Sequence, residues 1–555
     1  MDRQHFRDTQ RTLQTLNRPA TEAPLNPHFF MNNSTRTALL MGCTVLTSAA
    51  TAQDWPSWGG TDPGRNMYSS AKGMPSSLVP GKFKPNSEEI DLSSTKNVKW
   101  IAKLGSQSYG NPVVTKGVVL VGTNNASPRD ARFKDDRSLL YALRESDGAL
   151  LWQLTVPKLA SGKVNDWEYL GLLSSPHVEG DKVYVVTSRC EVLCLDLQGQ
   201  ANGNQGPFSD EGQYMAGPGK PKFEVLPTDA DILWKYDMMD ELGVFPHNAS
   251  NCSVIVEGDT IFVCTSNGQD WTHVNIPSPQ SPSFIALDKK TGELIGEDQA
   301  GVGPRIFHGQ WTSPSIGQVN GKPQVYFGGG DGVLYALETT PVKEGDSNFL
   351  KTAWSFDCVP PEYKKDKNGK AIKYPAAEGP SEINSTPVFY KGRVYVAIGQ
   401  DPEHGEGVGR LLCIDPTKKG DVTATALLWD YKGIKRSIST VSIDPANGLL
   451  YIGDFSGFVH CLDAETGKVH WVHDMQAHMW GSTFVADGKV YVGDEDGDFV
   501  VFASGKEKKI LSECNVGAPI LSTPVVANGL MYLVSQTHLF VVGDGATPVA
   551  SAAKP

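Results

Sequence analysis

"STVSIDPANGLLYIGDFSGFVHCLDAETGKVHW", residues 439–471, decides the fold. Its apolar runs alternate with polar residues at a period of two, and the turns between them hold Asn, Gly and Asp. That pattern is four short antiparallel strands. The unit recurs, with first strands anchored at Pro112, Pro176, Val254, Pro314, Pro387, Val441, Phe484 and Pro524. Each copy runs from a Ser/Thr-Pro-like start to a "TG" turn and then a Trp. Val441 to Phe484 spans 43 residues and Phe484 to Pro524 spans 40, close to the length of a minimal propeller blade. The last copy stops before its Trp strand, while "NVKWIAKLG" (97–105) is a Trp strand with no copy before it. Trp100 is therefore expected to complete blade eight, a closure that removes exposed sheet edges. The sequence predicts an all-β, eight-bladed β-propeller of four-stranded antiparallel blades, closed by an N-terminal strand.

The bulk numbers agree. The 555 residues carry 57 Gly and 36 Pro, which favour turns over long helices. A net charge of −12 without a basic block argues against a nucleic-acid partner. No apolar run reaches the length of a membrane span. Residues 31–52 read as a signal peptide: Arg36, a short apolar core, then Ala50-Thr51-Ala52. Cys43 after "LMG" offers a lipoprotein alternative, ranked below cleavage after Ala52. Residues 1–30 fit no secretory start and read as an upstream extension, with Met31 the initiator. The expected order is then an extended segment at 53–95, the propeller at 96–543 and a disordered tail at 544–555. The expected location is periplasmic or secreted, and the expected form a monomer.

Aligning "LYALR", "LCLDL", "LYALE", "LCIDP" and "HCLDA" puts Cys194, Cys413 and Cys461 where Ala142 and Ala336 stand, a position for a small buried side chain. The "EGD" turn at 257–259 sets Cys252 opposite Cys264, which leaves a strained cross-strand disulfide open.

Call the top the face on which first strands begin. Most turns between strands one and two, on the other face, are minimal, whereas top loops are long: "NNASPRDARFKDDRS", "SNGQDWTHVNIPSPQSP" and the acidic loop inside "YVAIGQDPEHGEGVGRLLCIDP" (395–416). Loops of that length clustered on one face point to function there. The bottom-face exception, 198–231, is expected to cover the lower opening or to form a separate contact surface.

"GGGDGVLYALE" (328–338), "CLDAETGKVHW" (461–471), "YALRESDGALLW" (141–152) and the lead-in "WPSWGGTDPGRNMYS" (55–69) resemble quinoprotein dehydrogenases, which hold pyrroloquinoline quinone (PQQ) on such a ring. The repeats are equally similar to the propeller subunit of the outer-membrane β-barrel assembly machinery, and to large secreted PQQ-repeat proteins. The first resemblance implies PQQ and a Ca²⁺ held by Glu, Asn and Asp from separate blades. It also implies hydride transfer to the quinone as a carboxylate takes the substrate's hydroxyl proton. The second implies an envelope protein as partner, and an unidentified small molecule is a further option. The adjacent cysteine pair of many alcohol-oxidising members is absent.

Residues just ahead of each anchor should line the axial funnel: Tyr109, Asn111, Trp167, Glu168, His247, Asn248, His308, Trp311, Glu382, Asn384, Arg436, His478 and Trp480. Among them, Glu168, Asn248 and Glu382 are the Ca²⁺-ligand candidates, with Glu168 or Glu382 as base. Asn248, Trp311, Asn384, Arg436 and Trp480 are the cofactor-binding candidates. Filling of blade junctions and capping of strand starts explains the same residues without a ligand. In the acidic loop, His404 suits a transition metal, whereas Asp401 and Glu406 suit Ca²⁺. A self-contained metal site, a ligand-contacting rim and a plain solvated connection all remain open for it. The main functional expectation is a ligand- or protein-binding propeller with a top-face funnel, and the alternative is a PQQ- and Ca²⁺-dependent dehydrogenase of alcohols or sugars.

Overall fold

A computed structural model describes residues 53–374, 380–404 and 408–549. The expected upstream extension, the signal peptide and Glu406 lie outside these residues. Eight blades, each of four antiparallel strands, form the ring, and three of the sheets are extended by an added parallel strand. The stretch that opened the sequence reading is blade six: Ser442–Asp444, Leu449–Gly453, Phe458–Asp463 and Val469–Asp474. Blade eight joins Val525–Ala527, Leu530–Val534 and His538–Val542 to Val98–Lys103, with Trp100 opposite Val541, so the N-terminal strand closes the ring. No helix among the described residues is long and apolar enough to cross a membrane.

The repeat's residues have physical reasons. In four blades a Tyr of strand two and a Trp of strand four flank one small residue of strand three. The rows are Tyr184–Cys194–Trp234, Tyr326–Ala336–Trp354, Tyr395–Cys413–Trp429 and Tyr451–Cys461–Trp471. Ala or Cys stands between the two rings in these blades, and Val541 between Tyr532 and Trp100 in blade eight; burial pushes the Cys194 and Cys461 thiols up to about 12, so these cysteines pack as inert hydrophobes. The register shifts just after that residue in all eight blades, a bulge that sharpens local twist.

Trp100, Trp152, Trp234 and Trp429 each dock on a turn glycine of the next blade. Trp100 Nε1 donates to Glu145 O at 2.9 Å, and a Cβ on Gly148 would meet the Trp100 ring at 2.7 Å. Trp429 and Gly467 repeat the arrangement, so the glycine is required both by a left-handed φ and by the ring above it. The Ser/Thr-Pro start has its own role. Asn111 N donates to Ser175 Oγ, Ser175 N to Ser253 Oγ, Ser253 N to Ser313 Oγ, and Thr523 N back to Asn111 Oδ1. Side chains at blade starts thus form a belt that joins neighbouring blades around the axis.

The lead-in segment reaches all eight inner strands. Trp55 pairs with Val114 of blade one, and Val178 N donates to Pro56 O from blade two. Ile316, Phe389 and Val485 donate to Pro63 O, Gly64 O and Met67 O from blades four, five and seven. Asn66 bonds Ile443 of blade six, Asn528 N of blade eight donates to Gln53 O, and Arg65 donates to Val254 O of blade three. Residues 53–69 are a central plug that satisfies backbone groups a first strand would otherwise leave unpaired.

The 198–231 insertion lies along the outer edge of blade one. Asp229 pairs with Gln153 of its fourth strand, and Arg132 reaches Asp229 at 2.5 Å. The "EGD" turn pairs Glu257 with Thr260 and Val256 with Ile261, one residue out of the expected register. Cys252 therefore does not face Cys264 across the ladder. Both thiols are free, and Cys264 N donates to Cys252 Sγ at 3.2 Å.

Candidate metal centre

Four histidines meet on the top face between blades three, four and five. His247 comes from the connection into blade three, and His273 from the long loop between Thr260–Cys264 and Phe284–Asp288. His308 comes from the connection into blade four, and His404 from the loop between Arg393–Ile398 and Arg410–Ile414 of blade five. Ring centroids lie 4.2 Å apart for His247–His308, 4.6 Å for His308–His404 and 4.9 Å for both His273–His308 and His273–His404. His247, His273 and His308 each offer a ligand atom within 4.8 Å of the others, and His308, Asp401 and His404 form an overlapping trio.

Hydrogen bonds set the tautomers. His247 Nδ1 lies 2.6 Å from Gln269 O, a carbonyl that can only accept, so Nδ1 carries the proton and Nε2 keeps a lone pair. His404 Nδ1 lies 2.8 Å from Asp401 Oδ1, which by the same argument frees its Nε2. His308 Nδ1 sits 2.9 Å from Tyr374 Oη, under a stacked Tyr374 ring. The Nε2 atoms of His247, His273 and His308 are buried without a hydrogen-bond partner among the described residues. Buried polar atoms are rarely left so, and three at one point is the pattern of imidazoles awaiting an ion. Outer partners that hold the other ring nitrogen are the usual support of metal-bound histidine. Burial holds His247 down to about 4 and, with its histidine neighbours, His308 far below the ordinary range. Both are therefore neutral at pH 7, the form that binds metal.

The remaining funnel candidates surround this cluster unevenly. Trp311 lies against it, 5.1 Å from His308, and its Nε1 donates to His247 O at 3.2 Å. Glu382 is fully buried, accepts from Asn384 Nδ2 at 3.2 Å, and is pushed far above the usual carboxylate range by burial and by the charge of Asp401. Its Oε2 and the Asn384 Oδ1 have no partner among the described residues. Arg436 donates to Asp401 O at 3.1 Å and covers the Phe455 ring. Asn248 binds Val164 O and Trp167 N through its backbone. Trp480 stands farther round the ring, against Tyr109 and Phe455, with Nε1 on Glu495. Glu168 sits exposed on the rim, 3.6 Å from Lys163.

Sequence reasoning named His247, His308 and His404 in separate roles and passed over His273. No spacing motif links the four, because the ring and not the chain brings them together.

A family model described as outer membrane protein assembly factor BamB matches residues 98–348, 426–509 and 459–549, more than half the chain. No curated protein sequence matches at a significant level. Among solved structures, a quinohemoprotein alcohol dehydrogenase from Pseudomonas putida HK5 superposes with a TM-score of 0.54 at 13% identity, over 90% of this chain and 82% of that one. BamB from Moraxella catarrhalis gives 0.48 at 14% identity, over 80% and 97%. A quinohemoprotein alcohol dehydrogenase from Comamonas testosteroni gives 0.46 at 14%, over 91% and 82%. Identities this low speak to the fold alone. By its repeats, its ring and its matched residues, the chain belongs to the PQQ-repeat β-propeller family described as outer membrane protein assembly factor BamB.

Proposed function

We propose that this protein is a ligand-binding propeller of the cell envelope whose top-face funnel holds a divalent transition metal on His247, His273 and His308, with His404 as a further ligand. The observation that carries the reading is the three buried, partnerless Nε2 atoms at one point. Imidazole nitrogen suits zinc, copper, iron or nickel, whereas Ca²⁺ takes six to eight oxygens. Closing the ligands onto bonds of about 2.0–2.1 Å needs side-chain shifts on the order of 1 Å. Three histidines would leave one position, for His404 or for an exogenous ligand, and with the exogenous ligand there the arrangement is that of catalytic rather than structural metal sites. Export through residues 31–52, with cleavage after Ala52, is part of this reading.

Elemental analysis after loading with Cu²⁺ or Zn²⁺ tests it. About one equivalent in the wild type, lost in His308→Ala and His273→Ala, is the expected result. Equal metal content in folded variants and wild type refutes it.

A quinone-dependent dehydrogenase is the second reading, favoured by the partnerless oxygens of Glu382 and Asn384. When bound, PQQ would accept a hydride from an alcohol or sugar. Glu382, Asn248 and, from the rim, Glu168 would supply Ca²⁺ oxygens, with Glu382 or Glu168 as base. Asn384, Arg436, Trp311 and Trp480 would hold the quinone. Titrating PQQ with Ca²⁺ against wild type and Glu382→Gln decides, and no binding by the wild type removes this reading.

A further inference from the structure

The geometry points to a carbohydrate-binding platform on the rim beside the histidine cluster, formed by Trp167 and Trp271. It deepens the metal-centre reading by naming the class of ligand brought to that centre, and rests on that reading for the delivery alone.

Trp271 is 51% exposed, unusual for so large a ring. It stands 5.7 Å from Trp167 at a 42° tilt, so the two rings form an open angle and not a closed stack. Tyr169, 55% exposed, stands two residues beyond Trp167. The platform is rigid. Asp270 accepts from Thr272 Oγ1 at 2.5 Å and from Asn275 Nδ2 at 3.1 Å, and its backbone N–H donates to Asn275 O. The Lys163 ammonium lies 5.3 Å from the Trp167 ring centroid. Two residues past Trp271 the same loop delivers His273, and the rings of Trp271 and His273 are 6.3 Å apart. A ligand resting on the platform therefore lies against the loop that carries His273 to the centre.

The chemistry of the rim selects among flat or apolar ligands. Nucleobases also stack on Trp, but Asp270 and Glu168 beside the rings, on a chain of net charge −12, oppose a polyanion. A hydrophobic peptide or a lipid face needs a contiguous apolar patch; Val274 is exposed on the same loop, but each ring itself is flanked by Asp, Thr, Asn, Lys or Glu. A neutral sugar matches both features. Its C–H face is apolar and lies on the electron-rich ring. Its hydroxyls both donate and accept, which suits carboxylate, amide and ammonium neighbours at ring height.

Affinity electrophoresis of the full chain through gels holding xylan, mannan, mixed-linkage β-glucan or dextran tests the proposal. The wild type should be retarded by at least one of them. Trp271→Ala and Trp167→Ala should weaken that binding about tenfold or more, while their circular dichroism and metal content stay at wild-type levels. His308→Ala should keep full retardation and lose the metal, which separates the platform from the centre. Passage of the wild type unretarded through all four gels overturns the proposal, as does retardation that survives both Trp variants. Trp-dependent retardation of a wild type that binds no metal upholds the platform and overturns its role in delivery.

Discussion

Arg65 offers the sharpest perturbation of the plug. It is 1% exposed at a left-handed φ of 65°, and burial holds its guanidinium down to about 10, still charged at neutral pH. Nε donates to Pro314 O at 3.0 Å, Nη2 to Val254 O at 2.8 Å and Ser253 O at 3.2 Å, and Nη1 to Trp58 O. One side chain thus ties the plug to blades three and four. Hydrogen bonds from a charged donor are worth roughly 1.5–3 kcal/mol each, so the contacts to Val254 O and Pro314 O suggest about 3–6 kcal/mol. Losing the charge recovers part of its desolvation cost, so Arg65→Ala should cost about 4 kcal/mol. At about 2 cal/mol/K of unfolding entropy per residue, a propeller of this length should melt about 4 °C lower. Arg65→Lys should fare nearly as badly, because an ammonium lacks the planar fork. Limited proteolysis should cut the variant within 53–69 while sparing the wild type. A melting point within about 1 °C of wild type, with the plug still protected, would refute the argument that this segment holds the ring together.

Trp100→Ala should be as damaging, about 3–5 kcal/mol, since it removes both the partner of Val541 and the ring docked on Gly148; thermal unfolding reads this. Tyr374→Phe should lower metal affinity about tenfold by removing the outer partner of His308, with the fold unchanged, as titration calorimetry would show. Acid should destabilise the ring through His538, which is 5% exposed and held down to about 4, chiefly by burial and then by Lys103. Its folded pKa lies below the unfolded value, so the unfolded chain binds the proton first and stability falls as pH drops from about 6.5 to 4. The loss should reach about 3 kcal/mol by pH 4, and His538→Gln should flatten the decline between urea midpoints at pH 7 and pH 4.5.

The ring was legible because its signals are local and repeated. The Tyr, the small residue and the Trp recur at fixed offsets in half of the blades, since those blades solve the same packing problem in the same way, and Trp100 stood out by lacking a unit of its own. The plug was hidden: its contacts are mostly main-chain and carry no residue signature, although "WPSWGGTDPGRN" marked the segment as distinctive. The turn at 257–259 slipped by one residue, because a two-residue and a three-residue turn look alike in "EGD". The histidine cluster was hidden for a different reason. His247, His273, His308 and His404 belong to four loops, and only ring closure gives them a common point. His273 carried a weak signal, a histidine beside an exposed-looking Trp in a long top loop.

The proposed centre requires an ion among those imidazoles. X-ray absorption at the metal edge of the Cu²⁺- or Zn²⁺-loaded protein tests it most directly. The account predicts three or four nitrogen neighbours at about 2.0–2.1 Å with the scattering pattern of imidazole rings, reduced by one in His273→Ala. An oxygen-only shell, or a spectrum identical in wild type and His273→Ala, would contradict it.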